Sequence, residues 1–140
     1  MKTITLFILF LALFNGFGFF VQNNYSDTCL YDNGILLYLE VDDLPKFESD
    51  EFNTALEYIY SNIKYPSLFE AQGIVIVSFV VTKYGNIEKI TIEKSLCDVC
   101  NVFDNEVKRV LLSMPKWIAG KKDNEFVNTL MFLPVNFKIQ

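Results

Sequence analysis

The sequence predicts an α+β fold, a three-stranded antiparallel sheet with two helices packed on one face. Three observations carry that expectation. Residues 74–82 read IVIVSFVVT, a run rich in β-branched residues and too short for a typical helix. Two other segments repeat apolar residues at helical spacing. A long apolar run closes the chain at residues 126–138.

The chain has 140 residues, enough for one domain with a core. It carries 51% hydrophobic and 21% charged residues, so most of it should fold. The net charge of -5 is unevenly spread. Residues 27–57 hold nine acids and one lysine, whereas residues 64–140 hold eight acids and ten Lys or Arg. An excess of two positive charges is too small for a nucleic-acid-binding face. With no histidine in the chain, the commonest general base and metal ligand is missing.

Residues 4–21, ITLFILFLALFNGFGFFV, form an uncharged apolar run behind Lys2. Its densest part, residues 4–14, has the length of a signal-peptide core, and Gly16 and Gly18 supply a small-x-small pair. The whole run as a helix would span roughly 27 Å, close to a hydrocarbon core. Residues 1–22 are therefore read as a signal peptide or a membrane anchor, and the rest as exported. Residues 23–47 read as an acidic leader with a short strand in GILLYLEV, and residues 48–140 as the folded domain.

Ser49 is expected to cap the first helix, with Asp50 and Glu51 in its first turn. Phe52, Ala55, Leu56, Ile59, Tyr60 and Ile63 form its apolar stripe, and Tyr65-Pro66 ends it. The strand at 74–82 is apolar on both faces, the mark of a central strand. Lys83, Tyr84, Gly85 and Asn86 make a turn, with Gly85 free to take positive φ. The next strand, 87–94, turns Ile90 and Ile92 inward.

A second helix carries Phe103, Val107, Val110, Leu111 and Met114 on one stripe. Pro115 stops it, and Trp117 is expected to fold back as a core anchor with its indole N–H in water. Gly120 and KKDNE make a turn before the final strand. Pro134 cannot donate to a ladder, so that strand should lie at an edge or bulge there. The expected strand order is (87–94)(74–82)(126–138), which leaves the last strand's outer edge available to an incoming segment. On this reading Val135→Pro should spoil edge pairing more than folding.

No catalytic set is present: there is no Gly-rich phosphate loop and no Ser-His pair, so an enzyme is not expected, nor a cofactor. The three cysteines leave alternatives open. Cys97 and Cys100 could close a local disulfide, or Cys29 could pair with either in an oxidising compartment. A redox role for the C-x-x-C pair lacks its usual βαβ setting, and zinc would need a fourth ligand.

Several stretches together resemble the C-terminal domain of TonB energy transducers, in the form common in Bacteroidetes-type bacteria. These are YP at 65–66, GIVIVSFVVTKYGNIEKITIEKS, DNEVKRVLLSMPKW, AGK and FLPVNFKIQ. The resemblance covers about residues 62–140; the preceding LEVDDLPKFESDEFNTALEYIYSNIKYP is similar more weakly. It implies a periplasmic domain that captures the TonB-box peptide of an outer-membrane transporter as a strand added beside its last strand. Phe132, Leu133, Pro134, Val135, Asn136 and Phe137 would then form the pairing strand. Tyr65, Pro66, Gly73, Gly85, Met114, Pro115, Trp117 and Gly120 match family motif positions. Inner-membrane motor proteins would be further partners if the N-terminus is an anchor. Two alternatives keep the residues and change the role: an interaction module, or edge-exchanged homodimer, without energy transduction, or a C-x-x-C redox protein.

Overall fold

The computed structural model describes residues 29–66, 71–97, 99 and 101–138. The apolar run at 4–21, with the expectation of a signal or anchor, lies outside them, as does Cys100. The elements are β1 (Cys29–Asp32), β2 (Ile35–Tyr38), α1 (Ala55–Asn62), β3 (Gly73–Val81), β4 (Ile87–Lys94), α2 (Val102–Leu112), β5 (Gly120–Lys122), β6 (Glu125–Val127) and β7 (Thr129–Phe137).

The main sheet runs β1-β2-β7-β3-β4, and β5-β6 is a separate two-stranded ribbon. The expected array β4-β3-β7 is present, but the sheet has five strands, not three. The cause is Asn33-Gly34. Both residues take positive φ, 50° and 79°, the two-residue turn whose twist matches that of paired strands. Cys29 through Asp32 then pair with Tyr38 through Ile35, and the stretch read as an acidic leader becomes a hairpin.

That hairpin does not extend the sheet flat. It touches β7 by one parallel pair, Tyr38 with Thr129. At its other end Asp32 ion-pairs with Lys89 of β4, three strands further along the sheet order from β2. The hairpin therefore curls across the sheet. Downstream, Lys46 and Ile118 exchange backbone hydrogen bonds of 3.0 and 2.8 Å. The Asp42 carboxylate accepts from the Asp123 N–H at 2.7 Å and from Lys122 Nζ at 3.2 Å. These two donors, the backbone N–H foremost, hold the Asp42 carboxyl below its ordinary range. Asp123-Asn124 is a second two-residue turn with φ of 49° and 65°, so β5-β6 is a hairpin where a simple turn was expected.

The first helix starts later than Ser49. Thr54 is its N-cap: its Oγ1 accepts from the Glu57 N–H at 3.1 Å, while Glu57 Oε2 accepts from the Asn53 N–H at 2.8 Å. This Thr-x-x-Glu arrangement satisfies one orphan donor of the first turn and the N–H just before the cap, and it outcompetes Ser49, whose Oγ accepts from Glu51 N–H two residues on. Helix α2 matches its expected stripe, with Phe103, Val107, Val110 and Leu111 buried. Tyr58 of α1 donates its hydroxyl to the Ser113 carbonyl at 2.9 Å, covering an end that α2 leaves unpaired.

One core unites these pieces. Val75, Val77, Phe79 and Val81 of β3 and Val135 and Phe137 of β7 face Ala55 and Ile59 of α1 and the buried stripe of α2. Burying side chains of this size stabilises by about 1.5–3 kcal/mol each. Both helices thus cover the same face, as the sequence predicts.

Candidate functional site

Strand β7 is held on one side along its whole length. It pairs antiparallel with β3 from Thr129–Val81 to Phe137–Gly73, with no register shift at Pro134 opposite Ile76. β7 is not the edge strand expected, since β2 joins it at Thr129, yet Pro134 is tolerated without a bulge because β2 pairs β7 only there and Pro134 needs no N–H toward β3. The side chains alternate as the pleat requires: Val135 is 0% and Phe137 3% exposed, whereas Phe132 is 56% exposed. Of the six residues proposed for the pairing strand, Leu133, Val135 and Phe137 thus face the core. Phe132, Pro134 and Asn136 face away from it and are exposed.

The backbone alternates too. The Asn136 N–H donates to Tyr60 Oη of α1 at 3.1 Å, so this residue's peptide group turns away from β3. By the period of two, those of Leu130, Phe132 and Pro134 turn the same way. At the other end the Tyr38 N–H donates to the Asn128 carbonyl at 2.8 Å. The parallel pattern then directs the Leu130 N–H to the Tyr38 carbonyl. Between these two tyrosines no strand among the described residues lies beside β7. Among the described residues the open edge offers the carbonyls of Leu130, Phe132, Pro134 and Asn136 but only one uncommitted N–H, that of Phe132.

The remaining motif residues build the scaffold behind this edge. Tyr65 donates its hydroxyl to the Ala71 carbonyl and packs edge-on against Phe103 and Phe137, at centroid distances of 5.7 and 6.1 Å. Pro66 beside it is half-buried. Gly73 begins β3 opposite Phe137. Gly85 has φ of 83°, and a Cβ there would lie 2.1 Å from the Trp117 carbonyl oxygen. Its own carbonyl accepts from the Trp117 N–H at 2.9 Å. Met114 packs on the core while Pro115 is exposed. Trp117 is 7% exposed and meets Phe79 and Phe47 edge-on at 5.6 and 5.7 Å. Its indole N–H is buried and meets no acceptor among the described residues, which corrects the expectation of a wet tip. Gly120 is buried, and a Cβ there would press on Thr129 Oγ1 at 2.6 Å.

Cys97 is disulfide-bonded and Cys29 is a free cysteine; Cys100, expected as one candidate for pairing, lies outside the described residues. No group of ligating side chains fit to hold a metal occurs among the described residues. Nor is any helix among them long and apolar enough to cross a membrane. Glu106 braces the two helices. It accepts from Arg109 at 2.6 and 2.9 Å and from the Lys64 N–H at 2.5 Å, and the Arg109 guanidinium foremost lowers its carboxyl pKa.

Sequence reasoning missed both tyrosines that bound the open edge. Tyr60 belonged to an apolar stripe, yet it is 47% exposed with its hydroxyl on β7. The signal lay in its position one residue past Ile59, where the stripe meets the rim of the core. Tyr38 could have been found through Asn33-Gly34, which sets the hairpin's register.

Comparisons with known proteins bear on this arrangement. A family model described as the Gram-negative bacterial TonB protein C-terminal matches residues 62–139, more than half of the chain. An NMR solution structure of Helicobacter pylori TonB-CTD (residues 179–285) is 22% identical, with a TM-score of 0.45, covering 66% of this chain and 85% of that one. A second (residues 194–285) is 23% identical, with a TM-score of 0.40, covering 59% and 87%. No curated protein matches the chain. Domains of the matched family are non-enzymatic interaction and transducer domains, periplasmic in general, that engage outer-membrane transporters. With its family-model match running from the end of α1 through β7, the chain belongs to the TonB C-terminal domain family.

Proposed function

We propose that this domain captures the TonB-box segment of an outer-membrane transporter as a strand added beside β7, and so serves energy-dependent uptake from the periplasm. The observation that supports it is the bare outer edge of β7 between Tyr38 and Tyr60. An exposed edge of this kind is a template for pairing, and soluble domains usually cover or blunt it. Here the side chains on it are Phe132 and Pro134, not charges. A peptide laid there exchanges main-chain hydrogen bonds with β7 and can rest an apolar side chain on Phe132.

Magnitudes favour weak capture. Each new hydrogen bond contributes about 1 kcal/mol net. Ordering an extended peptide costs about 1 kcal/mol per residue. Side-chain burial supplies the surplus, and micromolar or weaker affinity is expected, which suits a contact that must be made and released. Isothermal titration of the protein with synthetic N-terminal peptides of the source organism's outer-membrane transporters tests this. Binding that Phe132→Pro abolishes is the expected result, because that variant removes the free N–H. No heat at millimolar peptide would contradict the proposal.

A further inference from the structure

We propose that Tyr60 is a latch on the pairing edge: its hydroxyl withholds the Asn136 N–H, so that an incoming strand registers on Phe132 until the ring moves aside. The inference rests on strand capture at β7 and adds what sets its register. Three devices remove donors from the edge. The Tyr38 carbonyl takes the Leu130 N–H at one end. Pro134 has no N–H to give. Tyr60 Oη takes the Asn136 N–H at 3.1 Å.

The first two are fixed by hairpin and sequence, and only the third can be undone by rotating one side chain. Tyr60 stands at the rim of the core beside the buried Ile59 and is 47% exposed, so core packing does not lock it. With the latch closed, a partner strand finds one donor, at Phe132, and carbonyls on either side. With the latch open it gains a second donor at Asn136, four residues along, and the paired stretch lengthens toward the end of β7.

The latch makes two kinds of partner distinguishable. An extended segment whose pairing ends near Pro134 binds without disturbing Tyr60. A segment that runs past Pro134 must displace the ring. Tyr60 is thereby a specificity-determining residue for strand length and register rather than for side-chain identity.

The test uses wild type, Tyr60→Phe and Tyr60→Ala, read by amide hydrogen exchange and by titration with the same synthetic transporter peptides. In the free proteins the Asn136 amide should exchange slowly in wild type and at least several-fold faster in both variants. In the peptide complexes, Phe132 should be protected in all three, and Asn136 should gain protection on binding in the variants alone. Tyr60→Ala should bind about 3- to 10-fold more tightly, the effect of one added hydrogen bond. Equal Asn136 exchange in the three free proteins overturns the latch, as does peptide binding with the same affinity and protection pattern in all three. If none binds peptide while Asn136 is slow only in wild type, strand capture of these peptides falls. The latch is then supported as a guard on the edge.

Discussion

The two flanks of β7 are made of the same nine residues and behave as two different surfaces. Toward β3 the strand is paired without interruption, and Val135 and Phe137 below it are sealed in the core. On the other flank, among the described residues, the backbone is engaged only at its ends, by Tyr38 and by Tyr60, and Phe132 is mostly in solvent. A strand of period two can therefore belong to the fold at odd positions and to a partner at even ones. Substitutions in β7 should divide by parity, not by distance from the chain's end.

The largest effect expected is that of Val135→Pro. Its N–H faces β3 and its side chain is buried opposite Val75, so the substitution should cost roughly 4 kcal/mol or more and unfold the domain. The expectation from sequence, that this variant spoils edge pairing more than folding, is reversed by Val135's inward position; a folded, peptide-blind Val135→Pro protein in a denaturation series would break the parity rule. Trp117→Ala comes next, on the buried side of the comparison. Loss of a ring packed between Phe47 and Phe79 should cost about 3–4 kcal/mol, read as a lower urea midpoint. An unchanged midpoint would mean the ring contributes nothing to the core.

Phe132→Pro should change stability by only about 1 kcal/mol, because its N–H meets no partner among the described residues, while abolishing peptide binding. Phe132→Ala, which keeps the N–H, should weaken binding less, and that difference separates backbone pairing from side-chain contact. The smallest effect concerns the brace between the helices. The Arg109 guanidinium lowers the folded-state pKa of Glu106, so its contribution is fully present above the ordinary glutamate value of 4.5. It is lost as the pH falls through that lowered value. A Glu106→Gln variant should therefore be less stable than wild type at neutral pH and converge with it in acid, once the carboxyl is protonated in the folded state too. A constant gap across that range would contradict the assignment.

Much of the fold was legible because its signals are local and periodic. The doubly apolar run placed β3 at the centre, and the stripe from Phe103 to Leu111 gave α2 with its buried face. Pro134 suggested an edge strand or a bulge; the register with β3 is unbroken there, but β7 is the third of five strands, because the β1-β2 hairpin joins its first residue. The misses share a different cause. Asn33-Gly34 and Asp123-Asn124 each make a hairpin through positive φ at two residues, a signal carried by a dipeptide inside acidic or lysine-rich surroundings. Thr54 won the helix start from Ser49 because Glu57 completes a reciprocal cap, which the adjacent acids Asp50 and Glu51 obscured.

The edge itself was legible only in part. Its strand followed from topology, but its bounds depend on tyrosines from α1 and β2 that lie 76 and 91 residues from the groups they meet or pair with, Asn136 and Thr129. No sequence period reports such contacts. Residue parity within β7 was readable in principle, since Val135 and Phe137 continue the inward alternation that Pro134 and Asn136 interrupt.

The most direct measurement is residue-resolved amide exchange of the protein with and without a saturating transporter N-terminal peptide. The account predicts that peptide slows exchange at Phe132 while Met131, Leu133 and Val135, whose N–H groups face β3, keep the protection they already have. Peptide that binds but leaves Phe132 exchanging freely would place the contact elsewhere on the domain and contradict strand addition at β7.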